Sequence, residues 1–321
     1  MSRLRNFHQG EALLQAESGV DTELFDSMVE EGFRPELSAT EVRFVNQRTF
    51  GVAGSIDAES RPWGSPLVGP AGELFEVVDS TNVRIRPRSA PGDPLAENVR
   101  ATGELGVLYF EPARRRRAKS LGRATVGSDG TISYRMHRNF GLCNKYIFKR
   151  GHEVEPSAPG DLVVDTATDT IDVPGRPTLD PDDQAQLEAA DTVFLVSHHE
   201  AHGTDPTHRG GPPGFVSVRD PATISMPDYT GNGMFQTLGN LLLDDRIGLV
   251  SLDYESGRTL HLTGRGTIER SPSTDPFSER TLVISVEEVR TTRPDIGRWT
   301  DLEPFELKAG LVNPGTPYLR S

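Results

Sequence analysis

THRGGPPGFVSVRDPATISMPDYTGNGMFQTLGN, residues 207–240, is the stretch around which the chain is organised. A cation and three glycines (Arg209, Gly210, Gly211, Gly214) precede a strand-like run; a second short strand, a turn and a Thr/Asn-bearing helix start follow. Glycine lets backbone approach a ligand closely, and clustered N–H groups beside an arginine suit a phosphate. Gly/Pro-rich turns with nothing bound would show the same composition. The rest of the chain helps to choose, because it carries a second copy of the pattern. Gly69-Pro-Ala-Gly72 matches Gly211-Pro-Pro-Gly214 (211 − 69 = 142). At that same offset Asn98 matches Asn240, GVLYFE from Gly106 matches GLVSLD from Gly248, and Gly122-Arg123 matches Gly264-Arg265. Four ungapped coincidences indicate two copies of one fold.

Outward from the repeat, residues 10–31 read as two short helices broken at Gly19, and Ser38 or Thr40 can cap a helix through about Asn46. Strand-like runs cover 49–56, 74–78, 83–85, 105–110, 120–126 and 131–136, with a short helix at 96–102. The order restarts with a helix at 181–190, strands at 192–197, 214–218 and 223–226, a helix at about 234–243, and strands at 247–254, 258–269 and 281–289. Short strands joined mainly by hairpins predict a mainly β, mostly antiparallel fold, a small barrel in each copy. The domain boundaries follow: a helical arm at 1–37, barrel one at 38–150, a Pro/Asp/Thr-rich linker at 151–179 with one short strand at 162–164, barrel two at 180–293, and a tail at 294–321 that packs over the surface.

At 321 residues the chain can bury two real cores. A formal net charge of −13 argues against general nucleic-acid or anionic-membrane binding. The basic run RRRRAK (114–119) reads as a solvated strand edge. Nothing reaches the ~18 apolar residues of a membrane span, and MSRLRNFHQGEALLQ lacks the apolar core of a signal peptide. Cys143 is the only cysteine, so no intrachain disulfide forms, and a cytoplasmic location is expected.

With the repeat in view, HRGGPPGFVSV (208–218), ISMPDYTGNGMFQTLGNL (224–241) and IGLVSLDYESGRTLHLTGRGTIE (247–269) resemble the pyridoxamine 5'-phosphate oxidase-like, FMN-binding split-barrel superfamily. The first copy resembles it more weakly through RPWGSPLVGPAGELFEV (61–77) and LAENVRATGELGVLYFE (95–111); FGLCNKYIFKR (140–150) is similar to a Cys-x-Lys element of some flavin-nucleotide-binding members. About two-thirds of the chain is covered. The resemblance implies two tandem FMN-binding split barrels forming an intrachain pseudo-dimer, with FMN (or FAD) held between them. Where the second copy has THRGG at 207–211 the first has SPLVG at 65–69, so one principal site is expected, built on the second copy and completed by the first.

On that resemblance, cofactor-binding candidates are His208, Arg209, Gly210, Gly211, Pro227, Asp228, Tyr229, Asn232, Thr237, Asn240, Cys143 and Lys145. Tyr229 stands where relatives commonly carry an arginine after Pro-Asp, so a phosphate-binding cation is missing there. Thr237 lies near a helix N-terminal turn, which favours anions. Asn240 can equally be a cap, and Arg265 a surface ion-pair partner. His198, His199, His202 and His208, with Glu200 and Asp205, crowd eleven residues, but Gly203 and Pro206 mark a loop and no helical His pair results. No metal is expected; His208 faces the pocket and the other histidines are solvated.

The function implied is a flavin-dependent oxidoreductase acting on an unidentified small molecule with a reductant or electron acceptor, His208 or Lys145 serving as proton donor or anchor. The alternatives are a flavin-nucleotide carrier or sensor without turnover, and a deazaflavin- or haem-binding relative. Nucleic acid and membrane are not expected partners; the molecule is a monomeric pseudo-dimer or a homodimer.

Overall fold

The computed structural model of the chain describes residues 6–29, 33–156, 175–270 and 278–303. The helix α1 (Gln9–Glu17) starts on a capping box in which His8 accepts from the Glu11 N–H and Glu11 accepts from the His8 N–H. Gly19, with φ +72°, ends it, and α2 (Thr22–Val29) follows. Ser38 and Glu41 make a second capping box for α3 (Ala39–Asn46), which buries Phe44 and Val45.

The first sheet contains β1 (Phe50–Ile56), β2 (Pro62–Val68), β3 (Phe75–Val77), β4 (Asn82–Ile85), then after α4 (Leu95–Thr102) β5 (Glu104–Glu111), β6 (Arg116–Val126) and β7 (Ile132–Gly141). Its order is β2-β1-β5-β6-β7-β4-β3, all pairs antiparallel. A short β8 (Arg150–Glu153) and α5 (Pro181–Ala189) lead into the second sheet. This one contains β9 (Thr192–His199), β10 (Gly203–Gly210), β11 (Ser217–Asp220), β12 (Thr223–Tyr229), then after α6 (Gln236–Leu241) β13 (Arg246–Leu252), β14 (Thr259–Glu269) and β15 (Ser278–Thr292). Its order, β10-β9-β13-β14-β15-β12-β11, is that of the first sheet strand for strand. The protein is mainly β, and two seven-stranded antiparallel sheets fit two split barrels.

Side chains repeat as well as strands. Asn98 of α4 donates to Ser55 Oγ on β1 at 3.0 Å, and Asn240 of α6 donates to Ser197 Oγ on β9 at 2.9 Å, both buried. Gly122 and Gly264 each sit at a β-bulge, where an added Cβ would lie 2.1 Å from the carbonyl oxygen of Arg135 or Ser285. A side chain is excluded there by backbone, which is why this glycine recurs.

Two expectations need correction. Residues 62–68 and 203–210 were expected to lie outside strands, yet both are edge strands, β2 and β10. Pro62, Pro66 and Pro206 obscure them in the sequence, and proline is tolerated at an edge where the missing N–H leaves no ladder bond unmade. The strand expected at 162–164 lies outside the described residues. Within the expected tail, β16 (Arg298–Asp301) pairs antiparallel with β8; its remainder from 304 is likewise outside them. Among the described residues no helix is long and apolar enough to cross a membrane.

Each barrel has its own apolar core, one around Leu67, Phe75, Leu105, Tyr109 and Tyr134, the other around Leu195, Val216, Ile224, Leu249 and Leu262. A third cluster belongs to both, joining Phe50, Val52, Leu108 and Phe110 to Phe194, Val250 and Leu252. It is closed by backbone contact at two related places. A Cβ on Gly106 would lie 2.0 Å from the Thr204 carbonyl oxygen, and one on Gly248 would lie 2.5 Å from that of Pro62. Gly106→Val and Gly248→Val are therefore expected to lose about 3 kcal/mol or more of stability in urea unfolding, since backbone cannot yield as a side chain does. Gly141→Ala, whose Cβ meets nothing within 4 Å, is the matched control and should unfold as the parent does.

Candidate functional site

A concave site with converging polar groups lies where the two barrels meet, and both build it. The second barrel supplies Thr207–Gly210 from β10, Pro227–Tyr229 from the end of β12, and the turn and helix start from Gly231 to Leu238. The first supplies Arg117 from β6 and Leu142, Cys143, Lys145 and Tyr146 from the segment after β7. The cleft holds about 860 Å³ of empty space, its open mouth included.

Of the twelve cofactor candidates, ten line this cleft: Cys143, Lys145, His208, Arg209, Gly210, Pro227, Asp228, Tyr229, Asn232 and Thr237. Asn240 and Gly211 do not. Asn240 is buried behind α6, spending its amide on Ser197 and His8, the same packing role that Asn98 has in the first barrel. Gly211 gives its N–H to Asp191, and an added Cβ would strike the Phe215 ring at 2.6 Å. Gly210 is glycine for a different reason than ligand approach, because a Cβ there would lie 2.1 Å from the Tyr146 carbonyl oxygen. The first barrel's connecting segment crosses the β10 edge at that point.

Arg209 is held by Asp228, Nη1 to Oδ1 at 2.7 Å, so its charge is largely offset. Lys145 gives Nζ to the Gly231 carbonyl at 3.2 Å. Tyr229 stacks on Tyr146 with ring centres 5.3 Å apart, and the Tyr146 hydroxyl donates to the Thr230 carbonyl. Asn232 caps its own turn by accepting from the Met234 N–H, and Thr237 donates to Asp205 at 3.4 Å. Below them Lys119, 1% exposed, is ion-paired with Asp205 and reaches Gln236 at 3.3 Å. Burial lowers the Lys119 pKa and the Asp205 charge opposes that shift.

Arg117 is the residue that the sequence reading set aside. The run 114–119 is not a solvated edge throughout. Along β6 the side chains alternate, Arg116 lying outward while Arg117 and Lys119 turn in. That period-two alternation was the available signal. Arg117 donates from Nε to the Cys143 carbonyl at 2.8 Å, from Nη1 to His208 Nδ1 at 2.9 Å, and from Nη2 to Cys143 Sγ at 3.4 Å. Among the described residues no carboxylate is among its partners. Burial pulls its pKa down from the ordinary arginine value, and Cys143 opposes that.

His208 is packed between Phe110, 5.0 Å away and nearly parallel, and Phe194, edge-on at 5.6 Å. Burial first, and Arg117 and Arg209 second, hold its pKa well below 6.5, so the ring is neutral. Arginine can only donate, so Nδ1 accepts and the proton sits on Nε2. That Nε2, like Nε of Arg209, is buried without a protein partner. A ring in this tautomer has no lone pair at Nε2 for iron or zinc.

The remaining histidines of that run are half-buried rather than fully solvated. His199 and His202, at the β9–β10 turn, pack with His8 of the arm; His8 and His199 are parallel with centres 4.1 Å apart, and His202 lies 4.9 Å from His199. Their ligand atoms fall within 4.8 Å of one another. His8, however, accepts at Nδ1 from the Gly10 and Glu11 N–H groups and bonds Asn240 Oδ1 through Nε2 at 2.7 Å, so neither nitrogen is free. His202 is tilted to both rings, by 50° to His8 and 53° to His199. The pKa of His8 is lowered to about 4 and that of His202 to about 3, in each case chiefly by burial.

At the pseudo-symmetric end of the seam, 142 residues away in each case, Arg117 is replaced by Thr259, Asp205 by Trp63, and Thr207–Gly210 by Ser65, Pro66, Leu67 and Val68. Trp63 is 1% exposed, donates to Asp57, and lies under the Arg290 guanidinium at 4.8 Å. One end of the seam is filled where the other is open.

No family model matches the sequence, and no curated protein does. Solved structures similar to part of the chain include a putative pyridoxamine 5'-phosphate oxidase from Lactobacillus delbrueckii (16% identity, 36% of this chain and 94% of that chain, TM-score 0.30). Others are an F420 reductase (13%, 34% and 95%, 0.26) and HutZ, a haem storage protein from Vibrio cholerae (9%, 37% and 96%, 0.27). Each spans about a third of this chain.

His8, His202 and Glu11 give the docked arm a pH optimum. Burial raises the Glu11 carboxyl to about 8, with Arg138 opposing and Asp205 adding to the shift. A raised acid contributes stability that is present below its unfolded value of 4.5 and lost as pH climbs through 8; His8 and His202, being lowered, contribute above 6.5 and lose it as pH falls through about 4 and 3. Glu11→Gln should thus melt roughly 3–6 °C above the parent at pH 8.5, with the gap closing by pH 4.5 in calorimetry. An unchanged Tm at pH 8.5 would show that Glu11 is ionised in the folded protein.

Proposed function

We propose that the cleft binds a flavin nucleotide and that the protein is a flavin-dependent oxidoreductase acting on a small molecule. The observation carrying this is the charge of the cleft. Its lining has three cations, Arg117, Lys145 and Arg209, against one carboxylate, Asp228, on a chain of formal net charge −13. Arg117 is half-buried and is held by the Cys143 carbonyl and sulfur and by a neutral imidazole, with no carboxylate partner among the described residues; a guanidinium withdrawn from water without a carboxylate is costly. A phosphate-bearing ligand supplies the missing charge, and two further buried donors, His208 Nε2 and Arg209 Nε, remain for its oxygens. The residues present fit the group. Arg117 also supplies the cation expected, and not found, at Tyr229.

The Tyr146–Tyr229 stack and Phe235 offer apolar surface for a planar ring. When bound, the flavin supplies the electron transfer; the chain binds and orients it. His208, neutral and pinned at Nδ1, serves as a fixed N–H donor rather than a proton shuttle, and Lys145 at the mouth is placed to meet an anionic substrate. FMN is favoured over FAD in this reading because a single terminal phosphate satisfies Arg117.

Purified protein titrated with FMN and with riboflavin tests this. The parent should bind FMN at least tenfold more tightly, a difference of about 1.4 kcal/mol. Arg117→Gln should erase that preference while leaving riboflavin binding unchanged. Equal affinity for both flavins in the parent would overturn the phosphate assignment. Bleaching by NAD(P)H with reoxidation in air is the expected sign of an enzyme; a flavin that stays oxidised with every reductant would make the protein a carrier.

A further inference from the structure

The cleft wall from Gly231 to Phe235 is held by its own Asn232 cap and by contacts from outside it. Gly233 has φ +76° and Phe235, a residue with a side chain, has φ +55°. Such a conformation persists only where the surroundings over-determine it. Those surroundings include the N-terminal arm. Met234 packs against the arm's cluster of Phe7, Val20 and Phe25, and a Cβ on Gly233 would sit 3.6 Å from Val20. The Phe235 ring lies 5.2 Å from the Arg280 guanidinium, which donates to Ser18 Oγ of the arm at 2.7 Å.

Behind the wall, α1 crosses α6 at two glycines. A Cβ on Gly10 would lie 2.0 Å from the Gly239 carbonyl oxygen, and one on Gly239 would lie 2.6 Å from the Glu11 nitrogen. Beside this crossing, the N-cap residue His8 bonds Asn240 at 2.7 Å. The arm is anchored to the other barrel too, through Arg138 to the Asn6 carbonyl and through Phe33 against Phe140, ring centres 4.6 Å apart. It therefore spans the seam on which the cleft opens.

We propose that the arm is a strap that positions the 231–235 wall and so governs how long a ligand stays in the cleft, with the His8–Asn240 bond as its latch. His8, Gly10 and Met234 act here as positioning residues, because none but Met234 reaches the cleft. The residence-time part rests on the flavin reading; the wall-holding part does not.

Two variants of the full chain test it. Gly10→Val drives side-chain atoms into the Gly239 carbonyl and lifts α1 from α6. His8→Asn keeps a helix-capping oxygen but is too short to reach Asn240. Hydrogen exchange is read at 231–235 and, as an internal control, at α4 of the first barrel; FMN dissociation is read by stopped flow. The expected result is at least tenfold faster exchange at 231–235 with α4 unchanged, and a similar gain in FMN off-rate with a smaller change in on-rate. His8→Asn should show the same pattern to a lesser degree and keeps the test valid if Gly10→Val does not fold. Unchanged exchange at 231–235 in His8→Asn together with an unchanged FMN off-rate would overturn the proposal. A parent that binds no flavin, with faster exchange in the variants, would leave the strap standing and remove the flavin reading alone.

Discussion

The structure depends on backbone meeting backbone across the seam at Gly106 and Gly248. Side chains at either position would hold the barrels apart by the width of a methyl group or more, because the opposing atoms are carbonyl oxygens of Thr204 and Pro62. That approach lays each barrel's edge strand, β2 or β10, over the other barrel, so edges that would otherwise stay open are covered. It also brings β6 of one barrel beside β10 of the other. The 2.9 Å contact between Arg117 and His208 exists only because those strands are that close.

Joining both barrels in one chain removes the symmetry that two separate copies would impose. The two ends of the seam are then free to differ, and they do. At one end Trp63 fills the space between Asp57 and Arg290 and consolidates the interface. At the other, Arg117 is oriented by the carbonyl and sulfur of Cys143 and by the neutral His208 ring. Asp228 offsets Arg209, whereas neither Arg117 nor Lys145 has a carboxylate partner among the described residues, so the cleft contains one offset cation and two that are not paired with an acid.

Much of the fold was legible because the 142-residue offset falls on positions that backbone geometry dictates. Gly122 and Gly264 answer a bulge, Gly72 and Gly214 a left-handed turn, and Asn98 and Asn240 a buried bond to Ser55 and Ser197. The same logic explains what misled. Asn240 repeats because it is structural, which is the reason it is no ligand. The strands β2 and β10 were hidden by prolines and polar residues that an edge accepts. Arg117 was hidden by composition, since four arginines in a row look solvated until the alternation of β6 sorts them into opposite faces. Contacts of long sequence separation leave no local mark at all. His8 meeting His199 and Asn240, and Tyr146 crossing Gly210, could not be read from neighbouring residues.

Tyr229 shows how a local reading goes wrong in a two-barrel protein. Considered along its own strand, it marks a lost cation. Across the seam it packs on Tyr146, whose φ of +61° holds the 142–146 segment against β10, and Arg117 stands nearby with an unbalanced charge. The role expected of one residue is thus divided between two chain segments of the other barrel, one fixing the wall and one carrying the charge. A cleft built this way takes its shape from the spacing of the barrels rather than from any single loop. The glycines at the seam and the arm behind α6 therefore bear on that shape as directly as the residues that line the cleft.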